Sequence, residues 1–163
     1  MSKILRLGML LGATLVSAAS QQRKELNPIQ WSLKLDSARK TYHKGEQFTL
    51  QLQAQIEAGW HLYALEEIPN GPRPTRISLL EEQAFALAGE IGQPVPISNF
   101  DENFGVETQF YEEAVTFSLP LKIVAIPKPG RTKLRLQVRY QTCNDRLCLP
   151  PKTVKLETEV KLK

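Results

Sequence analysis

A chain of 163 residues with 42% hydrophobic and 23% charged residues fits one globular domain with its own core, and it excludes an intrinsically disordered chain. The formal net charge is +4, but the cations are scattered and form no dense patch with interleaved aromatics, which argues against nucleic-acid binding. Two cysteines in a domain able to bury its own core are not the crosslinks of a disulfide-stapled mini-scaffold.

The chain opens with MSKILRLGMLLGATLVSAAS. Lys3 and Arg6 precede an apolar run from Leu7 to about Val16, and small residues close the segment. This order predicts a secretory signal peptide over residues 1–20, cut after Ser20, with Ala18 and Ser20 lining the cleavage site. The apolar run is well short of the ~20 residues of a spanning helix. No cysteine follows it to carry a lipid anchor. Removal of the segment lowers the net charge to +2 and leaves a chain expected to be periplasmic or secreted, where disulfides form.

Residues 21–29, QQRKELNPI, read as a polar arm, and residues 30–163 as the domain proper. QWSLKLD puts Trp31, Leu33 and Leu35 on one face. QFTLQLQAQI alternates Phe48, Leu50, Leu52, Ala54 and Ile56 with Thr49 and three glutamines, the pattern of a half-buried strand. GWHLYAL follows, and then EEIPNGPRPTR, whose three prolines and glycine predict an irregular loop. RISLL is a short strand, while EEQAFALAG fits either a strand or one helical turn. IGQPVPISNFDENFGVETQFYEE is expected to be a long loop with at most a short strand inside, and such loops are often functional. Alternation resumes in AVTFSLPLKIVAI, in TKLRLQVRY and in TVKLETEVKLK. Seven or more strands and no long amphipathic helix predict an all-β, antiparallel sandwich of immunoglobulin type.

Both cysteines, Cys143 and Cys148, lie in YQTCNDRLCLPPK, between two predicted strands. Residues facing each other at a hairpin mouth come within disulfide range. Three uses are open. A structural clip would close a loop of about six residues and stabilise by roughly 2 kcal/mol, on residues a hairpin already holds close. A metal site would need further ligands from His43, His61 or carboxylates, and there is no second cysteine pair. A redox pair would attack a partner disulfide with one sulfur and resolve the mixed disulfide with the other. Asp145 and Arg146, between the cysteines, push thiol acidity in opposite directions. Pro150 and Pro151 have no N–H, so the sheet edge beside Cys148 is expected to stay open.

YQTCNDRLCLPP resembles the cysteine motif of the N-terminal periplasmic domain family of DsbD, the thiol:disulfide interchange protein, although its loop is four residues instead of five. GWHLYALEEIPNGPRPTRI resembles that family's aromatic segment and Pro/Gly-rich loop, and FDENFGVETQFYEEAVTFSLPL resembles its cap-loop segment. The resemblance implies an immunoglobulin-like fold and disulfide exchange with periplasmic thioredoxin-fold proteins, with no cofactor and no metal. It assigns attack to Cys148 and resolution to Cys143, and it makes Asp101, Glu102, Asn103, Phe104 and Gly105 a cap that shields the sulfurs. Tyr63, His61, Tyr140, Pro150 and Pro151 flank the site in this reading. Two departures stand out: His61 replaces a second tyrosine of the better-known members, and Asn103 replaces an aromatic residue of the cap, with Phe104 next to it. Full-length members continue into membrane and thioredoxin-like domains, whereas this sequence ends after EVKLK, so a separate membrane electron-transfer protein is the expected source of electrons. The alternative is a non-enzymatic interaction module with a structural disulfide.

Overall fold

The computed structural model describes residues 26–36, 41–81 and 84–163. The expected signal peptide with Ser20, and most of the polar arm, lie outside those residues. Among the described residues no helix is long and apolar enough to cross a membrane.

Among the described residues, eleven strands build three antiparallel sheets. The first is ordered β1 (Ile29–Asp36), β2 (Gln47–Ile56), β8 (Ala114–Ile123), β5 (Phe85–Leu87). The second is ordered β11 (Lys152–Leu162), β9 (Gly130–Tyr140), β4 (Arg76–Leu79). These two sheets face each other as an immunoglobulin-like sandwich. Alternate side chains of β2 and β8 are buried, and Leu50, Leu52, Phe117, Leu119 and Leu121 are fully so. They meet Leu134, Leu136 and Val138 of β9, together with Val160 and Leu162 of β11, in one core. Each large side chain buried in this way contributes about 1.5–3 kcal/mol, which fixes the register, because a one-residue slip would turn the apolar face outward.

Pro120 sits inside β8, an unusual place for a residue without an N–H. Its carbonyl accepts from Ala88 N at 2.8 Å, on the side away from β2, so the missing donor costs no β2–β8 bond. Ile29, grouped with the polar arm by its neighbours in sequence, is instead the buried first residue of β1. EEQAFALAG contributes a strand, β5, that closes one edge of the first sheet.

The third sheet pairs with neither of these two, though its Leu62 and Tyr111 join their core. Its order is β10 (Thr142–Cys143), β3 (His61–Tyr63), β7 (Val106–Tyr111), β6 (Ile97–Asp101). The segment expected to be a long loop therefore supplies a hairpin, β6–β7. Its first strand is a sheet edge with four exposed residues before Asp101, so it lacks the two-residue period that marks a half-buried strand.

Candidate functional site

The cysteines are not the mouth of the β9–β11 hairpin, as the sequence suggested. β9 ends at Tyr140, whose register partner is Lys152, so residues 141–151 leave the sandwich as an excursion. Gln141 marks the turn-off: its Oε1 accepts from Arg73 N at 2.8 Å and its Nε2 donates to Leu149 O at 3.4 Å. The next two residues join β3 of the third sheet, with Cys143 opposite His61 and Thr142 opposite Leu62. The chain then reverses through Asn144–Leu147. Asn144 N donates to Leu147 O at 2.9 Å, and Asn144 Oδ1 accepts from Arg146 N at 2.9 Å and Leu147 N at 2.8 Å. This asparagine turn needs no glycine.

Cys143 and Cys148 face each other across this small reversal and are joined in a disulfide, with Cα atoms 4.1 Å apart. The flanking bonds, Asn144 N to Leu147 O and Leu149 N to Thr142 O, make them a non-hydrogen-bonded pair, the narrow kind in an antiparallel ladder. The two sulfurs differ in access. Cys143 is fully buried, whereas Cys148 is half-buried on the outer edge. Tyr63, Phe110 and Cys143 form a cluster separate from the main core, with Phe104 and Cys148 packed against it.

Phe104 comes from the turn between β6 and β7. Asp101 organises that turn: its carbonyl accepts from Phe104 N at 3.2 Å and Gly105 N at 2.7 Å, and its Oδ1 accepts from Asn103 N at 2.9 Å. Gly105 has φ +68°, a conformation other residues adopt at a cost. The other carboxylate oxygen, Oδ2, accepts from Tyr63 Oη at 2.6 Å. One side chain thus shapes the turn and ties it to the strand next to Cys143. Phe104 meets the Tyr63 ring edge-on, with centroids 6.1 Å apart.

His61 extends this network. Its Nε2 lies 3.2 Å from Tyr63 Oη. The single phenolic proton is engaged by Asp101, so the hydroxyl presents a lone pair to His61, and His61 Nε2 must carry hydrogen. Nδ1 is then the unprotonated nitrogen of the neutral ring. The imidazole also packs on Phe110, with centroids 4.7 Å apart. Burial lowers the His61 pKa below the ordinary imidazole value, opposed by the negative charges of Asp101, Glu112 and Asp145. Burial pushes the Tyr63 phenol far up, and the hydrogen bond and charge of Asp101 add to the effect.

Most of the residues singled out in the sequence converge here: Cys143, Cys148, Tyr63, His61, Asp101 and Phe104. Glu102, Asn103 and Gly105 are exposed parts of the same turn. Tyr140 is placed differently: it is buried in the main core against Trp31, with its hydroxyl donating to Asn27 Oδ1 at 3.2 Å. Pro150 and Pro151 are exposed, and with Tyr140 and Leu149 they line a groove of about 330 Å³ beyond the cysteine edge. A second, more open hollow of about 730 Å³ runs between the Pro/Gly-rich loop and Phe104. The sequence reading did not single out Phe110 or Gln141. Phe110 was findable, because Thr108 and Phe110 alternate with polar neighbours in VETQFY; Gln141 carries no such signal. Among the described residues no group of three or more His, Cys, Asp or Glu side chains is arranged to hold a metal ion.

Fold and site together define an immunoglobulin-like domain with one partly shielded, cross-strand disulfide in a side sheet. The family model described as "Thiol:disulfide interchange protein DsbD, N-terminal" matches residues 31–159. The chain belongs to that family. Among solved structures, the N-terminal periplasmic domain of ScsB from Proteus mirabilis is similar with a TM-score of 0.56 and 17% identity, over 86% of this chain and 49% of that one. The chain therefore spans about half the length of the ScsB structure. The reduced N-terminal domain of DsbD from Neisseria meningitidis aligns with a TM-score of 0.49 and 15% identity, over 72% of this chain and 78% of that one. A comparison with curated proteins gave no match.

Proposed function

We propose that this domain exchanges disulfides with thioredoxin-fold partners, with Cys148 as the sulfur that meets the partner and Cys143 as the one that resolves the mixed disulfide. The observation that carries this reading is the unequal burial of the pair: Cys143 is sealed in an aromatic cluster, and Cys148 lies half-buried on the outer edge, with Leu149 and then two exposed prolines after it. A partner cysteine can approach only from the Cys148 side. Phe104, held by the Asp101 turn, covers the pair until a partner displaces it. Electrons come from a membrane electron-transfer protein, and the setting is the periplasm, reached by export through residues 1–20 with cleavage after Ser20. The folded unit is residues 30–163, preceded by the arm.

The competing reading is an interaction module with a structural clip. Against it stands the asparagine turn, which already closes the loop with backbone bonds on both sides of the pair. A clip would add only roughly 2 kcal/mol there. The test is trapping. Cys143→Ala should hold a thioredoxin-fold protein on Cys148 as a stable mixed disulfide, and Cys148→Ala should not. Equal adducts from both variants would reverse the assigned roles. A pair that stays oxidised in buffers down to about −300 mV, like an inert structural disulfide, would support the clip.

A further inference from the structure

The exchange proposed above leaves one chemical problem unsolved. To resolve a mixed disulfide on Cys148, Cys143 must become a thiolate, yet it is fully buried among Tyr63, Phe110 and Phe104. An apolar setting raises a thiol's pKa and leaves it protonated. A base within the site is required, and the register supplies one. His61 is the cross-strand partner of Cys143, so the two side chains share a face of the sheet with Cβ atoms roughly 5 Å apart.

We propose that His61 is the general base for the Cys143 thiol in the step that closes the Cys143–Cys148 bond. The proposal rests on the disulfide-exchange reading and deepens it. The hydrogen-bond chain sets the tautomer: Asp101 holds the Tyr63 proton, Tyr63 accepts from His61 Nε2–H, and Nδ1 is left with the lone pair. This is the logic of a base oriented by a third group. The Cys143 proton passes to Nδ1. The Cys143 sulfur then attacks Cys148 Sγ, the Cys143–Cys148 bond forms, and the bond from Cys148 to the partner breaks. The partner sulfur leaves with the electron pair as a thiolate, so its disulfide is reduced by two electrons and this dithiol is oxidised.

The surroundings suit both states of the ring. Burial keeps the resting imidazole neutral and able to accept. The imidazolium formed in the step faces Asp101 of β6, Glu112 just past β7 and Asp145 of the cysteine turn, with Glu102 also on the rim. An open hollow of about 440 Å³ beside His61 lets the proton leave to water. Asp101 and Tyr63 are positioning residues in this scheme, since they act through the histidine.

The experiment follows the reduced protein with an aromatic disulfide reagent, dithiobis(nitrobenzoate), in stopped flow. The first coloured thiolate is released when Cys148 attacks, and the second when Cys143 resolves. In the native chain the rate of the second phase, read from about pH 5 to about pH 9, should bend at a group titrating below the usual imidazole value. His61→Gln keeps an N–H for Tyr63 but cannot take a proton. It should lose that bend and slow the second phase by roughly 10²-fold near neutrality, with the first phase unchanged. His61→Asn should behave alike, and a first phase of full amplitude in either variant shows that the site is intact. A second phase with native rate and pH profile in both variants overturns the proposal. A native chain that releases no second thiolate overturns the exchange reading instead, and this step with it.

Discussion

Phe104 reaches the disulfide from a four-residue turn, and it is the one large side chain that turn lays against the cysteine cluster. It is half-buried, so its removal costs about 1 kcal/mol of cover, less than a fully buried aromatic would. If that cover limits access, Phe104→Ala should let dithiothreitol or glutathione reduce the disulfide about fivefold faster, since ~1.4 kcal/mol corresponds to tenfold. An unchanged reduction rate would show that the sulfurs are reached without moving the phenyl ring. His61 makes a prediction of its own. Burial holds its folded-state pKa below the unfolded value near 6.5. As the pH falls, the unfolded chain takes up this proton first. The stabilisation is therefore complete above about pH 6.5 and is lost as the pH drops through that value toward the lower folded one. Urea midpoints should fall more between about pH 7 and about pH 5.5 in the native chain than in His61→Gln. Parallel declines in the two proteins would count against a desolvated histidine.

The β6–β7 hairpin carries Phe104, and its turn depends on two residues of different kinds. Asp101 supplies acceptors, and Gly105 supplies a left-handed conformation. A Cβ added at Gly105 would meet nothing within 4 Å, so Gly105→Ala tests backbone strain alone. It should destabilise the hairpin by roughly 1–2 kcal/mol. Amide exchange should rise over residues 97–111 and stay unchanged in β9 and β11, which belong to the sandwich. Uniform acceleration across the chain would mean that the hairpin and the sandwich open as one unit. The same hairpin shows what the sequence left illegible. β2, β8 and β9 were readable because each buries one face, so the alternation is written into their residues. β6 is an edge with four exposed residues in a row, and nothing in ISNFD records its pairing with β7. The cysteine turn was hidden for another reason. Its placement depends on Cys143 pairing with β3, some eighty residues away, whereas local spacing pointed to the nearer β9–β11 hairpin. The motif resemblance still brought together Cys143, Cys148, Tyr63, Asp101 and Phe104. What it left out was the link from His61 through Tyr63 to Asp101, a pair of side-chain hydrogen bonds that no local motif records.

At the scale of the molecule, two apolar groupings are kept apart. The main core fills the sandwich and takes in Leu62 and Tyr111 from one face of the side sheet, while the cluster around Cys143 lies on that sheet's other face. The disulfide lies in the second, so breaking it removes a short crosslink and no side chain of the first. Such a separation would let the domain hold its fold in both redox states. Closing a loop with a sequence separation of 5 restricts the unfolded chain by roughly 2 kcal/mol at most, a small share of what the sandwich core supplies. The reduced protein should therefore unfold in one cooperative transition, with its Tm lowered by roughly 4–8 °C. Its circular dichroism below that transition should match that of the oxidised form. Leu136→Ala, in the middle of β9, should cost more than reduction does, about 2–5 kcal/mol, because it opens a cavity in the core itself. Calorimetry of the four species, with and without the substitution in each redox state, separates the two contributions. Near-additive losses are expected, since the clusters share no side chain. Loss of the cooperative transition on reduction alone would place the disulfide among the elements that hold the sandwich together, and a bond with that duty could not be opened at each exchange without unfolding the domain.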